Sequence, residues 1–358
     1  MTVAEFNRVA FVGGGTMGCF NSLLAALSGY EVVVHDLQHG VLEAVPLVQQ
    51  AIGAHLVEIG YCGADDLSAA YDRVTVESNL AKAVRGVGLV SESIPERMAL
   101  KRTLFTELDA LCSADTLLTS NTSALLVSDM DSALVYGERF AALHSHFGAL
   151  LFDIVAGPRC TKANVDLLER YVHSLAAEPL VLKKEYPGYV FNALLGPVLQ
   201  AAKWEVINGR ASVEDIDSAW MARFSVPLGP FALMDLFGLD VVADSWREPR
   251  EDPVRAARQP DISAFLQRYL DDGRLGRKTG AGFYDYPDAS FLATGFVNHA
   301  NPHVVTPLVS ALVDAAIAIE SHGVASSSDI DRAWCTALSM KQGPFALLAD
   351  SNPEHIRQ

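Results

Sequence analysis

The stretch RVAFVGGGTMG, near the start of the chain, restricts the fold more than any other. A short β-branched run leads into glycines, and NSLLAALSGY then spaces its apolar residues as a helix does. Gly13, Gly15 and Gly18 form the pattern GxGxxG, whose glycines permit a tight turn, a close approach of the backbone to a pyrophosphate, and packing of helix on strand. This order predicts a dinucleotide site at a helix N-terminus, lined by these glycines with Thr16 and Met17.

A second predicted strand, EVVVHD, ends in an acid. Asp36 lies 18 residues after Gly18, about where a carboxylate meets the ribose hydroxyls of a dinucleotide. Leu37 and Gln38 follow, with no arginine to receive a 2′-phosphate. The pattern therefore favours NAD over NADP as the cofactor.

Five further segments read as strands, after a longer helical region at about 40 to 70. They are short and rich in Val, Leu or Phe: VTVES, GLVSES, TLLTSN, RFAALHSHF and FDIVAG. Strands that alternate with helices predict an α/β, Rossmann-like, doubly wound sheet with its ligands beyond the carboxyl ends of the strands. The polar groups SESIPE, SNTS and LHSH fall at three successive strand ends, so we expect them to form one site.

Size and charge exclude several classes of protein. At 358 residues and 38.5 kDa, with half of its residues apolar, the chain is long enough for two domains and an extension. A net charge of −16 gives no basic surface for nucleic acid. We expect a cytoplasmic protein without a membrane span, because no apolar run reaches about 20 residues and MTVAEFNR lacks the core of a signal peptide. The five cysteines show no metal-binding spacing, and no metal is predicted.

Several motifs resemble the 3-hydroxyacyl-CoA dehydrogenase family, in the order in which that family carries them. Together they span about residues 5 to 287. They are GGGTMG, ESIPERMALK, SNTSALL, RFAALH, PGYVFNALL, GRASVEDIDSAW, PLGPFALMDLFGLD and GRLGRKTGAGFYDY.

The resemblance implies reversible hydride transfer between NAD and the C3 hydroxyl of an acyl thioester, a reaction of fatty acid metabolism. Matched motif by motif, His144 is the base, and Ser123 and Asn192 bind the substrate oxygen. Glu96 and Lys101 belong to the cofactor side. A histidine also suits the chemistry itself, since a secondary alcohol loses hydride only as its proton leaves.

Each of these assignments has a structural alternative. Ser123 would cap the following helix, a position that serine favours. Asn192 would simply begin a helix after the Pro-Gly pair. Glu96 and Lys101 would be solvated helix residues.

The segment after His144 departs from the family pattern. It reads SHFGALLFD, with no Asn-Pro turn and with Asp153 as its carboxylate where the family has a glutamate. The segment is also shorter than in the family. If this shortening draws the two strands together, Asp153 holds the tautomer of His144 and stabilises its imidazolium. Otherwise His144 is a weaker base, His146 takes over the role, or the site is inactive or repurposed.

The family's handle for CoA is also altered. Where relatives often carry lysines for the 3′-phosphate, LVEIGYCGADDLSAAYDR offers Asp65, Asp66 and only a late Arg73. The acyl group would then bind as CoA with low affinity, on a carrier protein, or as a free acid. Lys278 in GRKTG is retained, which is consistent with a thioester substrate.

The second half of the chain is helical and contains a repeat. ASVEDIDSAW with GPFAL recurs as ASSSDIDRAW with GPFAL at a constant interval of 114 residues, from Asp215 to Asp329 and from Pro230 to Pro344. We expect an all-α C-terminal domain with a duplicated helical unit, and domain bounds of 1–186, 187–290 and 291–358. The second copy lacks PGYVFN and should carry no active site. It either mimics a dimer within a monomer or adds to a homodimer interface.

Two rival functions remain open from the sequence. One is a dehydrogenase of a small free hydroxy acid, such as a carnitine-like or sugar-acid substrate. The other is a non-catalytic NAD-binding protein whose altered histidine segment no longer acts.

Overall fold

The computed structural model describes residues 6–246, 252–298 and 300–350. They divide into two compact units, Met1–Val190 with His322–Asp329, and Phe191–Ser321 with Ile330–Gln358. The bounds at 186 and 290 remain a prediction beside this division.

The first unit is built on an eight-stranded sheet in the order β3-β2-β1-β4-β5-β6-β7-β8. All neighbouring strands are parallel except β6 and β7. The strands are β1 (Arg8–Val12), β2 (Glu31–His35), β3 (Val74–Glu77), β4 (Leu89–Glu92), β5 (Leu117–Ser120), β6 (Phe140–Ser145), β7 (Leu151–Ala156) and β8 (Glu178–Leu182).

The predicted doubly wound sheet is confirmed. β6 and β7 follow one another with no helix between them, which is why they pair as an antiparallel hairpin. The sequence analysis did not predict β8, a five-residue strand that pairs in parallel with β7.

The helices of the first unit cover this sheet. They are α1 (Thr16–Leu27), α2 (His39–Glu58), α3 (Ala64–Tyr71), α4 (Leu80–Ala83), α5 (Met98–Leu111), α6 (Val127–Asp131) and α7 (Lys162–Ser174). Except for the edge strand β3, the strands are largely apolar and most of their residues are buried, as expected of a parallel sheet covered on both faces. α1 is the central helix, and Phe20, Leu23 and Leu24 on it are at most 1% exposed.

The second unit consists of helices. They are α8 (Phe191–Ile207), α9 (Val213–Phe224), α10 (Pro230–Phe237), α11 (Leu239–Asp244), α12 (Pro253–Asp271), α13 (Thr306–Ser321), α14 (Ser327–Leu338) and α15 (Pro344–Asp350). The bounds of α9 and α14, and the starts of α10 and α15, differ by the 114 residues of the sequence repeat. Ser225 directly follows α9 and Ser339 directly follows α14. Both adopt a left-handed conformation, with φ of 55° and 53°.

One carboxylate explains the repeated Asp-Ile-Asp and Gly-Pro-Phe motifs. Asp217 accepts hydrogen bonds from the backbone N–H groups of Phe231 and Ala232, both at 2.9 Å, and thereby caps α10. Its counterpart Asp331 accepts the same pair of bonds, at 2.8 and 3.1 Å, from the first turn of α15. Both copies of the repeat therefore use the same aspartate to cap a helix.

The two copies pack against each other inside the second unit. α8 and α13 are in extensive contact. Trp220 and its counterpart Trp334 lie 6.5 Å apart, ring to ring and nearly perpendicular, and both are at most 1% exposed. The second copy thus covers an apolar face of the first.

Two helical segments, His39–Glu58 and Pro302–Ser321, are long and apolar enough to cross a membrane by length and composition. The expectation of no membrane span stays a prediction, because length and composition alone do not distinguish a membrane helix from a core helix. Both segments have a buried apolar face within their own unit, including Val45 and Ile52 in the first and Leu308 and Leu312 in the second. One third of the residues in the apolar window of each segment are buried, so packing in the core accounts for only part of their composition.

Candidate active site

The glycine loop forms a cradle between β1 and α1. Gly13 has φ of 107°, a conformation that side chains rarely adopt. A Cβ on Gly18 would collide with the carbonyl of Gly13, whereas one on Gly15 would meet open space. Thr16 begins α1, and no side chain caps its N-terminus. The N–H groups there suit the pyrophosphate of a dinucleotide.

Asp36 lies directly after β2 and stabilises this loop. Its carboxylate accepts hydrogen bonds from the backbone N–H groups of Gly14 and Gln38, both at 2.9 Å. The acid and the glycine cradle therefore lie together, as the spacing predicted. The residues present fit NAD.

A buried ion network joins the ends of β4 and β5 to α5. Lys101 is 1% exposed, and its Nζ lies 2.6 Å from Oε1 of Glu92 and 3.1 Å from Oε2 of Glu96. Ser120 donates to the other oxygen of Glu92 at 2.6 Å. Lys101 is thus not a solvated helix residue. Burial raises the pKa of Glu92 against the influence of Lys101. Burial also opposes ionisation of Glu96, but Lys101 together with the hydrogen bonds from Thr122 and the N–H of Ala124 outweighs it and lowers the pKa of Glu96.

Glu96 also fixes the loop that follows β5. Its Oε1 accepts bonds from Thr122 Oγ1 at 2.5 Å and from the N–H of Ser123 at 3.0 Å. Ser123 does not cap the following helix, because α6 begins at Val127 with Leu126 as its N-cap. Glu96 binds the backbone N–H of Ser123, and the residue itself is exposed.

Asn192 is the second residue of α8 and belongs to the second unit. Its place in the first turn agrees with the helix-starting alternative and leaves its role in substrate binding untested. Its side chain stays a candidate on its motif.

His144 and Asp153 face each other across the β6–β7 hairpin, where they are direct partners in the strand register. Nδ1 of His144 lies 3.1 Å from Oδ2 of Asp153, and Nε2 of His146 lies 2.8 Å from the same oxygen. All three side chains are buried, and Asp153 is 0% exposed. Asp153 therefore lies within hydrogen-bond distance of both histidines.

Burial and charge set the ionisation of this trio. Burial, and then the neighbouring His146, lower the pKa of His144, although Asp153 opposes them. Burial alone would raise the pKa of Asp153, but the two histidines outweigh it and lower the value. Both directions favour a neutral His144 beside an ionised Asp153 at neutral pH, which is the state of a general base.

The same three side chains are the candidate metal ligands that the described ranges contain. Their donor atoms lie within 4.8 Å of one another. One ring nitrogen of each histidine already has Oδ2 of Asp153 as its hydrogen-bond partner, while Oδ1 of Asp153 is buried without a partner among the described residues. The absence of a metal stays a prediction.

Sequence reasoning missed three residues of this region: Glu92, Ser120 and Tyr189. Glu92 was recognisable as an acid inside the apolar run GLVSES. Tyr189 packs its ring 5.1 Å from that of His144, and no sequence pattern places it there.

Two family models match the chain. The NAD binding domain of 3-hydroxyacyl-CoA dehydrogenase matches residues 8–186, and the C-terminal domain of 3-hydroxyacyl-CoA dehydrogenase matches residues 188–286. The chain belongs to the 3-hydroxyacyl-CoA dehydrogenase family. It is therefore an NAD-dependent dehydrogenase, and the cofactor expected from GxGxxG and Asp36 is confirmed. The non-catalytic alternative is set aside.

Relatives of this dehydrogenase differ in the reactions that their names state. The mitochondrial hydroxyacyl-coenzyme A dehydrogenase of Homo sapiens is 31% identical over 295 residues, which are 78% of this chain and 91% of that protein. The 5-formyl-3-hydroxy-2-methylpyridine 4-carboxylate 5-dehydrogenase of Mesorhizobium japonicum is 26% identical over 286 residues, 78% of this chain and 90% of that protein.

Among solved structures, a diketoreductase described as acting on dicarbonyl compounds is similar to the dehydrogenase. The TM-score is 0.71 at 29% identity, over 78% of this chain and 99% of that one.

Proposed function

We propose that the protein interconverts 3-hydroxyacyl thioesters and their 3-oxo forms with NAD, and that His144 is the base. The observation that supports this most is the 3.1 Å contact between Nδ1 of His144 and the buried carboxylate of Asp153. A histidine whose one nitrogen is held by an acid presents the other to a substrate hydroxyl.

In the oxidative direction, neutral His144 removes the proton of the C3 hydroxyl. NAD, which the glycine loop and Asp36 would hold, would supply the hydride acceptor. Asp153 keeps the proton of His144 on Nδ1, so that Nε2 is free to act, and stabilises the imidazolium that forms. In reduction the same imidazolium returns its proton to the substrate oxygen.

His146 is not the base in this proposal. Its Nε2 is engaged by Asp153 at 2.8 Å. It anchors the carboxylate together with His144. Ser123 and Asn192 are proposed as donors to the substrate oxygen; both carry suitable groups, and for Asn192 the proposal rests on the motif PGYVFN alone.

The carrier of the acyl group stays open. Asp65 and Asp66 are exposed on α3, where a CoA phosphate would be repelled. Two of the relatives named above are described by substrates other than CoA esters. A dehydrogenase of a small free hydroxy acid, such as a carnitine-like or sugar acid, is therefore the second candidate.

The experiment is a comparison of NADH oxidation with acetoacetyl-CoA, the same acyl group on a pantetheine stub, and free 3-oxo acids. We expect the CoA ester and the stub to react with similar kcat/KM, because the nucleotide tail lacks lysine partners. Turnover of the free acids alone would contradict the thioester assignment. His144→Ala should lower turnover by about 100-fold or more while NADH still binds.

A further inference from the structure

Tyr189 carries a buried hydroxyl that no described residue satisfies. The residue is 3% exposed, and its oxygen has no hydrogen-bond partner within the described ranges. Buried hydroxyls in native proteins nearly always have a partner, and one left alone destabilises the fold. A ligand or a water molecule would supply the missing partner.

The backbone at Tyr189 adopts an unfavourable conformation that fixes the position of the side chain. Tyr189 has φ of 52°, a left-handed conformation that disfavours side chains other than glycine. Its N–H donates to the carbonyl of Tyr186 at 2.9 Å, which fixes the turn. The turn directs the ring against His144, at 5.1 Å between ring centroids. A strained residue against the proposed base is typical of a functional position.

The charges around the hydroxyl decide which oxygen it can bind. Burial raises the pKa of Tyr189, and the carboxylates of Asp153, Glu96, Glu185 and Glu92 raise it further. The hydroxyl is therefore neutral and a donor at every working pH. Lys101 is paired with two of these acids, so the surroundings stay negative and repel a carboxylate ligand. A neutral carbonyl oxygen is accepted without that penalty.

We propose that the Tyr189 hydroxyl donates a hydrogen bond to a neutral carbonyl oxygen next to the reacting carbon of the substrate. It thereby selects 3-oxo thioesters, esters and diketones over free 3-oxo acids. This inference rests on the proposed function, because His144 marks where the reacting carbon lies.

The test uses three small ketones and NADH. Methyl acetoacetate has a neutral second carbonyl, acetoacetate has a carboxylate at that position, and 2-hexanone has no second oxygen. The readout is the ratio of kcat/KM for the ester to that for each of the other two. We expect Tyr189→Phe to lower both ratios by about two- to tenfold, the effect of one neutral hydrogen bond.

Tyr61→Phe is the matched control. The Tyr61 hydroxyl donates to the carbonyl of Leu175 at 2.7 Å, away from His144, so its removal should lower the melting temperature and leave the ratios unchanged. Tyr189→Phe removes no bond from the ligand-free enzyme, and its melting temperature should not fall. Unchanged ratios in Tyr189→Phe would overturn the inference, and would assign the hydroxyl to a water molecule only.

Failure of the proposed function is recognised separately. If the wild type oxidises NADH with none of the three ketones, their dissociation constants are measured in the presence of NAD⁺, where no hydride can reach them. Tighter binding of the ester, lost in Tyr189→Phe, would still support the subsite. Equal dissociation constants for the ester and 2-hexanone would reject it.

Discussion

Lys203 offers a sharp test of the energetics of the second unit. Its side chain lies on α8 and is 1% exposed, with Nζ 3.5 Å from the sulfur of Met234 and 5.7 Å from the centre of the Trp246 ring. Among the described residues no carboxylate pairs with it. Burial, reinforced by Arg255, lowers its pKa from 10.5 to about 7.

The magnitude follows from that pKa. A lysine that loses its charge on folding destabilises the fold at every pH below its unfolded pKa, and each pH unit between the two values is worth about 1.4 kcal/mol. At pH 7 the buried lysine lowers the free energy of unfolding by about 4 kcal/mol, and at pH 9 by about 2 kcal/mol. Lys203→Met keeps the side chain's length and removes the charge. It should therefore raise the free energy of unfolding by about 2–4 kcal/mol at pH 7 and by less at pH 9.

The assay is urea unfolding followed by tryptophan fluorescence at both pH values. All four tryptophans, Trp204, Trp220, Trp246 and Trp334, belong to the second unit, so the signal reports the unit that contains the substitution. Lys341→Met is the control, because Lys341 is an exposed lysine of the same unit. A Lys203→Met protein that is less stable than the wild type, or equally stabilised at pH 7 and pH 9, would refute the burial of an unpaired amine.

Four further predictions concern the site and the repeat. Because burial and His146 lower the pKa of His144, kcat/KM for alcohol oxidation should keep its plateau below pH 6.5 and fall only at lower pH; a pH profile that already declines above 6.5 would contradict the direction. Asp153→Asn should lower turnover by about 10²–10⁴-fold with NADH affinity retained, measured by stopped-flow and fluorescence titration, and near-normal turnover would remove the acid from the mechanism. Gly343→Ala would press a methyl group onto the backbone and side chain of Asp331, so urea unfolding should show a loss of about 1–3 kcal/mol, and no loss would speak against the close contact. Treatment with EDTA should leave turnover unchanged, since one ring nitrogen of each histidine already has Asp153 as its hydrogen-bond partner; activity lost on chelation and restored by Zn²⁺ would mean that an ion belongs there.

The proximity of the glycine loop and Asp36 was predictable from the sequence, because its signals are local. The glycines and Asp36 work through turn geometry and spacing, which are visible in a single sequence. The sequence did not reveal that β7 runs antiparallel to β6, or that β8 is a strand. β8 is short, begins with Glu178 and Pro179, and is stabilised by pairing with β7 rather than by its own pattern.

The catalytic half was predicted only as a set of alternatives. Whether Asp153 reaches His144 depends on the separation of two strands, which no spacing reveals. The shared acceptor of His144 and His146 was unforeseen for the same reason. The burial of an unpartnered hydroxyl such as that of Tyr189 is likewise a tertiary property.

Because both copies of the helical unit lie in one chain, each copy can carry its own substitutions. In a dimer of identical chains, every substitution is made twice, at equivalent places. Here the equivalents are encoded apart, and they have diverged: the position of buried Lys203 in the first copy is taken by Ile317 in the second, where it is 43% exposed. One half of the helical unit can therefore evolve toward the chemistry of the substrate while the other is free to change for packing alone.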